Sequence, residues 1–330
     1  MADELSALPW QNEVWQRLAT ALEEGRLPHA LLIQGPQGVG KLCLARRLAA
    51  MLLCHAPGPE GPCGRCDACR RVVRQEHPDL AGCYPEEGKR VIRVDAVREL
   101  IDFLTLSAHG VRGKVVILAP AEALNVNAAN SLLKTLEEPP ANSTLILVSH
   151  LPGRLPATIR SRCQRVSIPL PPRSQALRWL QELGVGGDEA EAALEATAGA
   201  PLRAREHLDQ NGEARRLAAW EGLRRLAAGE GEVLELAQDW ASQETPERIL
   251  EWWLVWLLQL RRLQSGLEVA HPPPGLEHLS LLPPQRVHEF ADRIMRVRRW
   301  LEGPVNIRLQ LADLLYRWQR LSRMTRRSVP

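Results

Sequence analysis

"HALLIQGPQGVGKLCLARRLAAMLLC", residues 29–54, decides the fold. Its apolar run Ala30 to Ile33 reads as a buried strand, and the stretch from Lys41 onward reads as a helix. Between them lies G-x-x-x-x-G-K, from Gly35 through Gly38 and Gly40 to Lys41. A glycine-rich turn between a strand and a helix N-terminus is the context in which backbone N–H groups cradle phosphate. The pattern is degenerate, because Leu42 stands where a Ser or Thr would ligate Mg²⁺.

Working outward, "RVIRV" (90–94), "KVVILA" (114–119) and "STLILVSH" (143–150) read as further strands. "DAVRELIDFLTL" (95–106) and "NAANSLLKTLEEPP" (127–140) read as the helices between them. Continuous apolar strands separated by helices predict a parallel sheet covered on both faces. A hydrolytic site on such a sheet also needs an acid at the end of a central strand to hold Mg²⁺. Here Val115–Leu118 is followed by Ala119 and Pro120, and the nearest acid, Glu122, comes three residues too late. Both expected magnesium ligands are thus absent while the cradle residues persist, which points away from hydrolysis. Two readings stay open: a nucleotide-free loop kept for its tight turn, and weak Mg-independent nucleotide binding.

After "RVSIPLPPR" (165–173) the pattern becomes helical, first as a small unit to about residue 210, then from about 213 to the end. Five prolines in "AHPPPGLEHLSLLPP" (270–284) predict a loop within that second part. "ILEWWLVWLLQL" (249–260) is apolar nearly all round and predicts a buried helix. The ten Trp, many at helical spacing among Leu, read as core. The expected fold class is therefore α/β plus all-α, with domains at 1–168, 169–210 and 211–330.

The chain has 330 residues, 45% of them hydrophobic and 25% charged, with a net charge of +3. These are ordinary values for a globular protein, and the weak positive charge argues against a chain that binds DNA tightly by itself. The N-terminus lacks a basic flank with an apolar run, and no stretch of eighteen apolar residues exists. A cytoplasmic protein without a membrane span is expected. Seven cysteines in a reducing compartment point to metal or catalysis before disulfides. Cys54, Cys63, Cys66 and Cys69 are spaced C-x8-C-x2-C-x2-C. Four thiolates at turn spacing suit a structural Zn²⁺ in a module over about 54–69; an iron–sulfur cluster would also take four cysteines. Cys43, Cys83 and Cys163 lie outside the cluster. Arg160, Arg162 and Arg165 in "RLPATIRSRCQRV" (154–166) read, by themselves, as a solvated basic face.

"ANSLLKTLEEPP" (129–140), a strand, and then "LPATIRSRC" (155–163) resemble the bacterial clamp-loader branch of the AAA+ ATPases. The cysteine insertion after the loop helix, "LPWQNEVWQRL" (8–18) and "VIRVDAVREL" (91–100) fit a non-hydrolysing subunit of such a loader. The resemblance implies an AAA+ P-loop domain with a zinc-binding insertion, a helical lid and a C-terminal helical collar. It implies partners too: the gamma/tau and delta subunits in a five-membered ring, with the sliding clamp and primed DNA reached through the complex, and no membrane. Arg162 then matches an arginine finger that enters a neighbour's ATP site, a task suited to an always-charged planar fork. Ser149 falls near the polar sensor position and Arg203, in "GAPLRA", near the lid arginine that senses nucleotide. The implied cofactor is structural Zn²⁺, with ATP binding doubtful. No catalysis is expected from the chain alone, only membership of a DNA-directed DNA polymerase complex. Two alternatives are an active gamma/tau-type ATPase, disfavoured by Leu42 and Ala119, and a free-standing zinc-containing DNA-binding protein. Arg317, Arg320, Arg323, Arg326 and Arg327 recur at helical spacing near the end and read as a solvated tail rather than a DNA-facing stripe.

Overall fold

A computed structural model describes residues 5, 7–86, 89–110, 113–301 and 305–326, with side chains through 323. The chain divides into two compact units, residues 1–175 and 176–330.

The first unit is built on five strands: β1 (Ala30–Gln34), β2 (Leu80–Cys83), β3 (Lys114–Leu118), β4 (Ser143–Ser149) and β5 (Gln164–Ser167). They are all parallel and lie in the order β2-β3-β4-β1-β5. The register pairs Ile33 with Val148 on one side and with Val166 on the other. Parallel strands need crossovers, and the apolar faces of α1 (Asn12–Glu23), α2 (Lys41–Leu53), α4 (Val94–Thr105) and α5 (Val126–Glu137) supply the cover. Alternate residues of each strand feed two separate cores. Leu31, Ile33, Val115, Ile117, Ile146 and Val148 pack on one face with Leu44 and Leu48 of α2. Leu32, Val116, Leu118, Leu145 and Leu147 pack on the other with Leu100 of α4 and Leu132 of α5. This period of two is why VVIL (115–118) and LILV (145–148) are apolar at every position.

One expected strand is corrected. Residues 90–94 form no strand; Ile92 alone is buried there and makes a single parallel bridge to Leu124. Its N–H donates to the Ala123 carbonyl at 2.8 Å, and Val94 then opens α4. Arg90, Val91 and Arg93 point to solvent, so the apolar alternation is one anchoring side chain long. The sheet position is filled instead by β2, whose LAGC is too short and too small-residued to carry a strand signal.

α7 (Arg173–Glu182) spans the boundary between the units and, with α8 (Gly187–Ala196) and α9 (Pro201–Asp209), packs on Leu180, Ala190, Leu194 and Ala204. α10 (Gly212–Ala228), α11 (Val233–Gln243), α12 (Pro246–Gln264), α13 (Pro284–Trp300) and α14 (Ile307–Arg326) enclose a second core. As the sequence predicts, α12 is buried on most sides, through Ile249, Leu250, Trp252, Trp253, Trp256 and Leu260. Trp253 meets Phe290, Trp240 and Trp318 edge-on, with centroids 5.3, 5.6 and 6.0 Å away. Such pairs add about 0.5–1.5 kcal/mol each beyond area burial, so the Trp enrichment is structural. No helix among the described residues is long and apolar enough to cross a membrane.

Candidate functional site: a degenerate phosphate loop, a four-cysteine cluster and a tethered arginine

The loop after β1 keeps the cradle geometry. Gly35, Gly38 and Gly40 all adopt positive φ, and Gly40 caps α2. At Gly35 a Cβ would fall 2.0 Å from the Ile168 carbonyl oxygen, so no larger residue fits. The loop is buttressed from the N-terminal segment: Trp10 Nε1 donates to the Val39 carbonyl at 3.0 Å, and Gln11 Nε2 to those of Val39 and Gly40 at 2.8 and 2.9 Å. Nothing in the sequence marks those two residues as loop supports.

The positions of the two missing ligands have become packing. Leu42 lies against the same apolar cluster to which Ala119, 7% exposed, belongs. Lys41 is almost wholly buried, and its Nζ donates to the carbonyl of Pro36 in its own loop. Burial pulls its ammonium down to about 8, with Glu122 opposing that fall. Glu122 does sit on the next turn, but its Oε1 folds back to accept from the N–H groups of His150 and Leu151, at 2.9 and 3.1 Å. It thereby becomes the local countercharge, a role its place in the sequence does not signal. Burial, then the Lys41 charge, lowers the His150 pKa, and Glu122 opposes them. Ser149 ends β4 fully buried, and its Oγ has no hydrogen-bond partner among the described residues.

After α2, Cys54, Cys63, Cys66 and Cys69 come together, their sulfurs all within 4.8 Å of one another. Cys54 ends α2, and Cys66 caps α3 (Asp67–Arg74). Three backbone N–H groups point at sulfur at 3.4 Å: Cys63 to Cys54, Cys66 to Cys63 and Cys69 to Cys66. N–H donation favours thiolate, and it holds Cys63 down to about 6. Burial pushes the thiols of Cys54 and Cys69 up instead. Four convergent sulfurs with opposed ionisation are the donor set that a divalent cation resolves, so the residues fit a metal ion. Cys83 and Cys163 are isolated, and burial raises each to about 11. The insertion is fastened by Glu60, whose carbonyl accepts from Trp15 Nε1 at 3.0 Å and from Arg47 Nη2 at 2.6 Å.

Arg162 follows the short α6 (Ala157–Arg160) and precedes β5. Its Nε donates to Glu137 Oε1 at 2.7 Å, and Nη2 reaches the same oxygen. Nη1 donates to the Thr158 carbonyl at 2.9 Å. Arg165 is exposed on β5, so the arginines of this segment do not form one uniform solvated face. Arg203 in the second unit is paired with Glu251, which also takes Arg298 at 3.0 Å. Arg317 is held by Asp313 at 2.9 Å, while Arg320 and Arg323 are exposed. The Arg326 side chain and Arg327 lie outside the described residues.

The family profile described as "DNA polymerase III, delta subunit" matches residues 10–172, and that described as "DNA polymerase III, delta subunit, C terminal" matches residues 210–320. The chain is 37% identical to DNA polymerase III subunit delta' of Pseudomonas aeruginosa over 324 residues, covering 95% of this chain and 97% of that protein. It is 34% identical to the Escherichia coli subunit delta' over 317 residues, covering 94% of each. It also matches Escherichia coli subunit tau, at 37% over 153 residues, 46% of this chain and 23% of that protein. With both halves matched and the delta' relatives aligned over nearly their full length, this chain belongs to the DNA polymerase III subunit delta' family.

Proposed function

We propose that this chain is a non-hydrolysing structural subunit of the replicative DNA polymerase III clamp loader. It helps load the sliding clamp onto primed DNA and donates Arg162 to the ATP site of a neighbouring subunit. The observation that carries the first part is the conversion of both magnesium-ligand positions into apolar packing, Leu42 and Ala119 lying in one core while the glycine cradle survives. An ATPase without either ligand has nothing to hold the metal that neutralises charge in phosphoryl transfer. Arg162 supports the second part: a permanently charged fork, a third exposed, at the edge of the sheet domain.

On this reading the ring partners are the gamma/tau and delta subunits, and clamp and primed DNA are engaged through the complex in the cytoplasm. Residues 1–168 act as the AAA+ domain, 169–210 as the lid and 211–330 as the collar. Cys54, Cys63, Cys66 and Cys69 hold one structural Zn²⁺, which fixes the insertion and takes no part in chemistry. The pairing of Arg203 with Glu251 supports a lid arginine engaged in structure rather than nucleotide sensing. The test is assembly with the partner ATPase subunits, followed by DNA-stimulated ATPase measurement. The chain alone should show no turnover. Arg162→Ala should leave assembly intact, lower total ATPase in part and depress clamp loading more. Mg-dependent hydrolysis by the partner-free chain, or full ATPase with Arg162→Ala, would overturn the reading.

A further inference from the structure

The turn that carries Arg162 is fixed before any partner arrives. Ile159 and Cys163, on either side of it, are buried in the same core as Leu136, the residue before Glu137. Each charged residue is therefore next in sequence to an anchored apolar one, and the two meet at the rim of that core. The Arg162 N–H donates to the Ile159 carbonyl at 3.1 Å, which locks the backbone. A guanidinium has five N–H donors in one plane. Here its side edge, Nε and Nη2, goes to a single Glu137 oxygen, while Nη1 goes to the Thr158 carbonyl at 2.9 Å and to Ser161 Oγ at 3.5 Å. Glu137 from α5 and the turn at Thr158 and Ser161 thus define the plane of the fork. One Nη2 N–H is left over, and 33% of the side-chain surface stays accessible.

We propose that Glu137 is the positioning residue for Arg162, holding the guanidinium so that its free Nη2 N–H faces an anionic phosphate oxygen presented by a neighbouring subunit. This rests on the reading of Arg162 as a group donated in trans. A long arginine side chain ordinarily loses rotamer freedom when it engages a phosphate; one already tethered at its side edge loses less. Glu137 takes the Nε side of the fork, so the donor left for the phosphate is on the opposite side of Nη2. Effects of this kind are steep, since a displacement of about 1 Å of a catalytic group can cost on the order of a hundredfold in rate.

The experiment is a double-mutant cycle in the complex assembled from full-length subunits, with clamp and primed DNA, reading kcat and KM for ATP. Glu137→Ala should remove roughly half or more of the kcat that Arg162→Ala removes, with KM for ATP unchanged. Added to Arg162→Ala it should remove nothing further, because its only effect passes through that side chain. Glu137→Gln keeps an acceptor oxygen and should restore most of the rate, and it carries the test if the alanine variant fails to assemble. Unchanged or raised kcat with Glu137→Ala, or a further loss on top of Arg162→Ala, overturns the positioning role and leaves the donated arginine standing. Full activity with Arg162→Ala alone overturns the donated arginine itself, so the two failures are told apart.

Discussion

Arg47 sits over Trp15, its guanidinium carbon 3.8 Å from the ring centroid, and both side chains reach the carbonyl of Glu60. A residue of α2 and a residue of α1 thus clasp the cysteine insertion from the side of the sheet domain. Gly61 completes the clasp: a Cβ there would lie 3.3 Å from both the Arg47 guanidinium and the Trp15 ring. Arg47→Ala removes a hydrogen bond to a carbonyl and a cation–π contact, which should cost about 2 kcal/mol. Thermal unfolding of the variant, together with faster proteolysis near Glu60, checks this. Unchanged protease resistance would show that the clasp is not what docks the insertion.

Metal removal should act locally. The purified protein should contain about one Zn²⁺ per chain, and Cys63→Ser should lower metal content and destabilise the segment from Cys54 to Cys69. The strands do not pass through the cluster, so far-ultraviolet circular dichroism should stay close to that of the parent. Metal analysis by mass spectrometry decides the first half, and protein free of metal after chelator-free preparation would refute it.

Lys41 gives a pH window. Its pKa falls from 10.5 unfolded to about 8 folded, so between those values the unfolded chain binds more protons than the folded one. Stability from this group should therefore rise as pH climbs from about 8 to about 10.5, and stay flat below 8. The size is about 3 kcal/mol across the whole window. Lys41→Met should abolish the slope, which denaturant titrations of both proteins across that window would read. A parallel pair of curves would mean that Lys41 is not buried as a charge at all.

The sheet was legible because the middles of β1, β3 and β4 are buried on both faces, which forces four consecutive apolar residues in each: 30–33, 115–118 and 145–148. β2 left none, since LAGC at the sheet edge is four residues long and has Ala81 and Gly82 at its centre. The cysteine cluster was legible for a similar reason: four cysteines at turn spacing restrict residue type and position together, and their sulfurs do converge. Partners distant in sequence were not legible. That Glu122 turns back to the end of β4, and that Glu137 tethers Arg162, depend on how α5 and two short turns pack, and a carboxylate in a helix carries no mark of which arginine it meets. Arg203 shows the same blindness: its place in a motif suggested a ligand, while its structural partner is Glu251.

The Ile168 carbonyl, 2.0 Å from where a Gly35 side chain would begin, makes Gly35 a requirement of the fold in its own right. Leu42 and Ala119 meet only apolar packing. Gly35 is confined instead by the backbone just after β5, whatever the loop binds. A glycine at the head of this loop is therefore no witness to nucleotide, because sterics alone demand it.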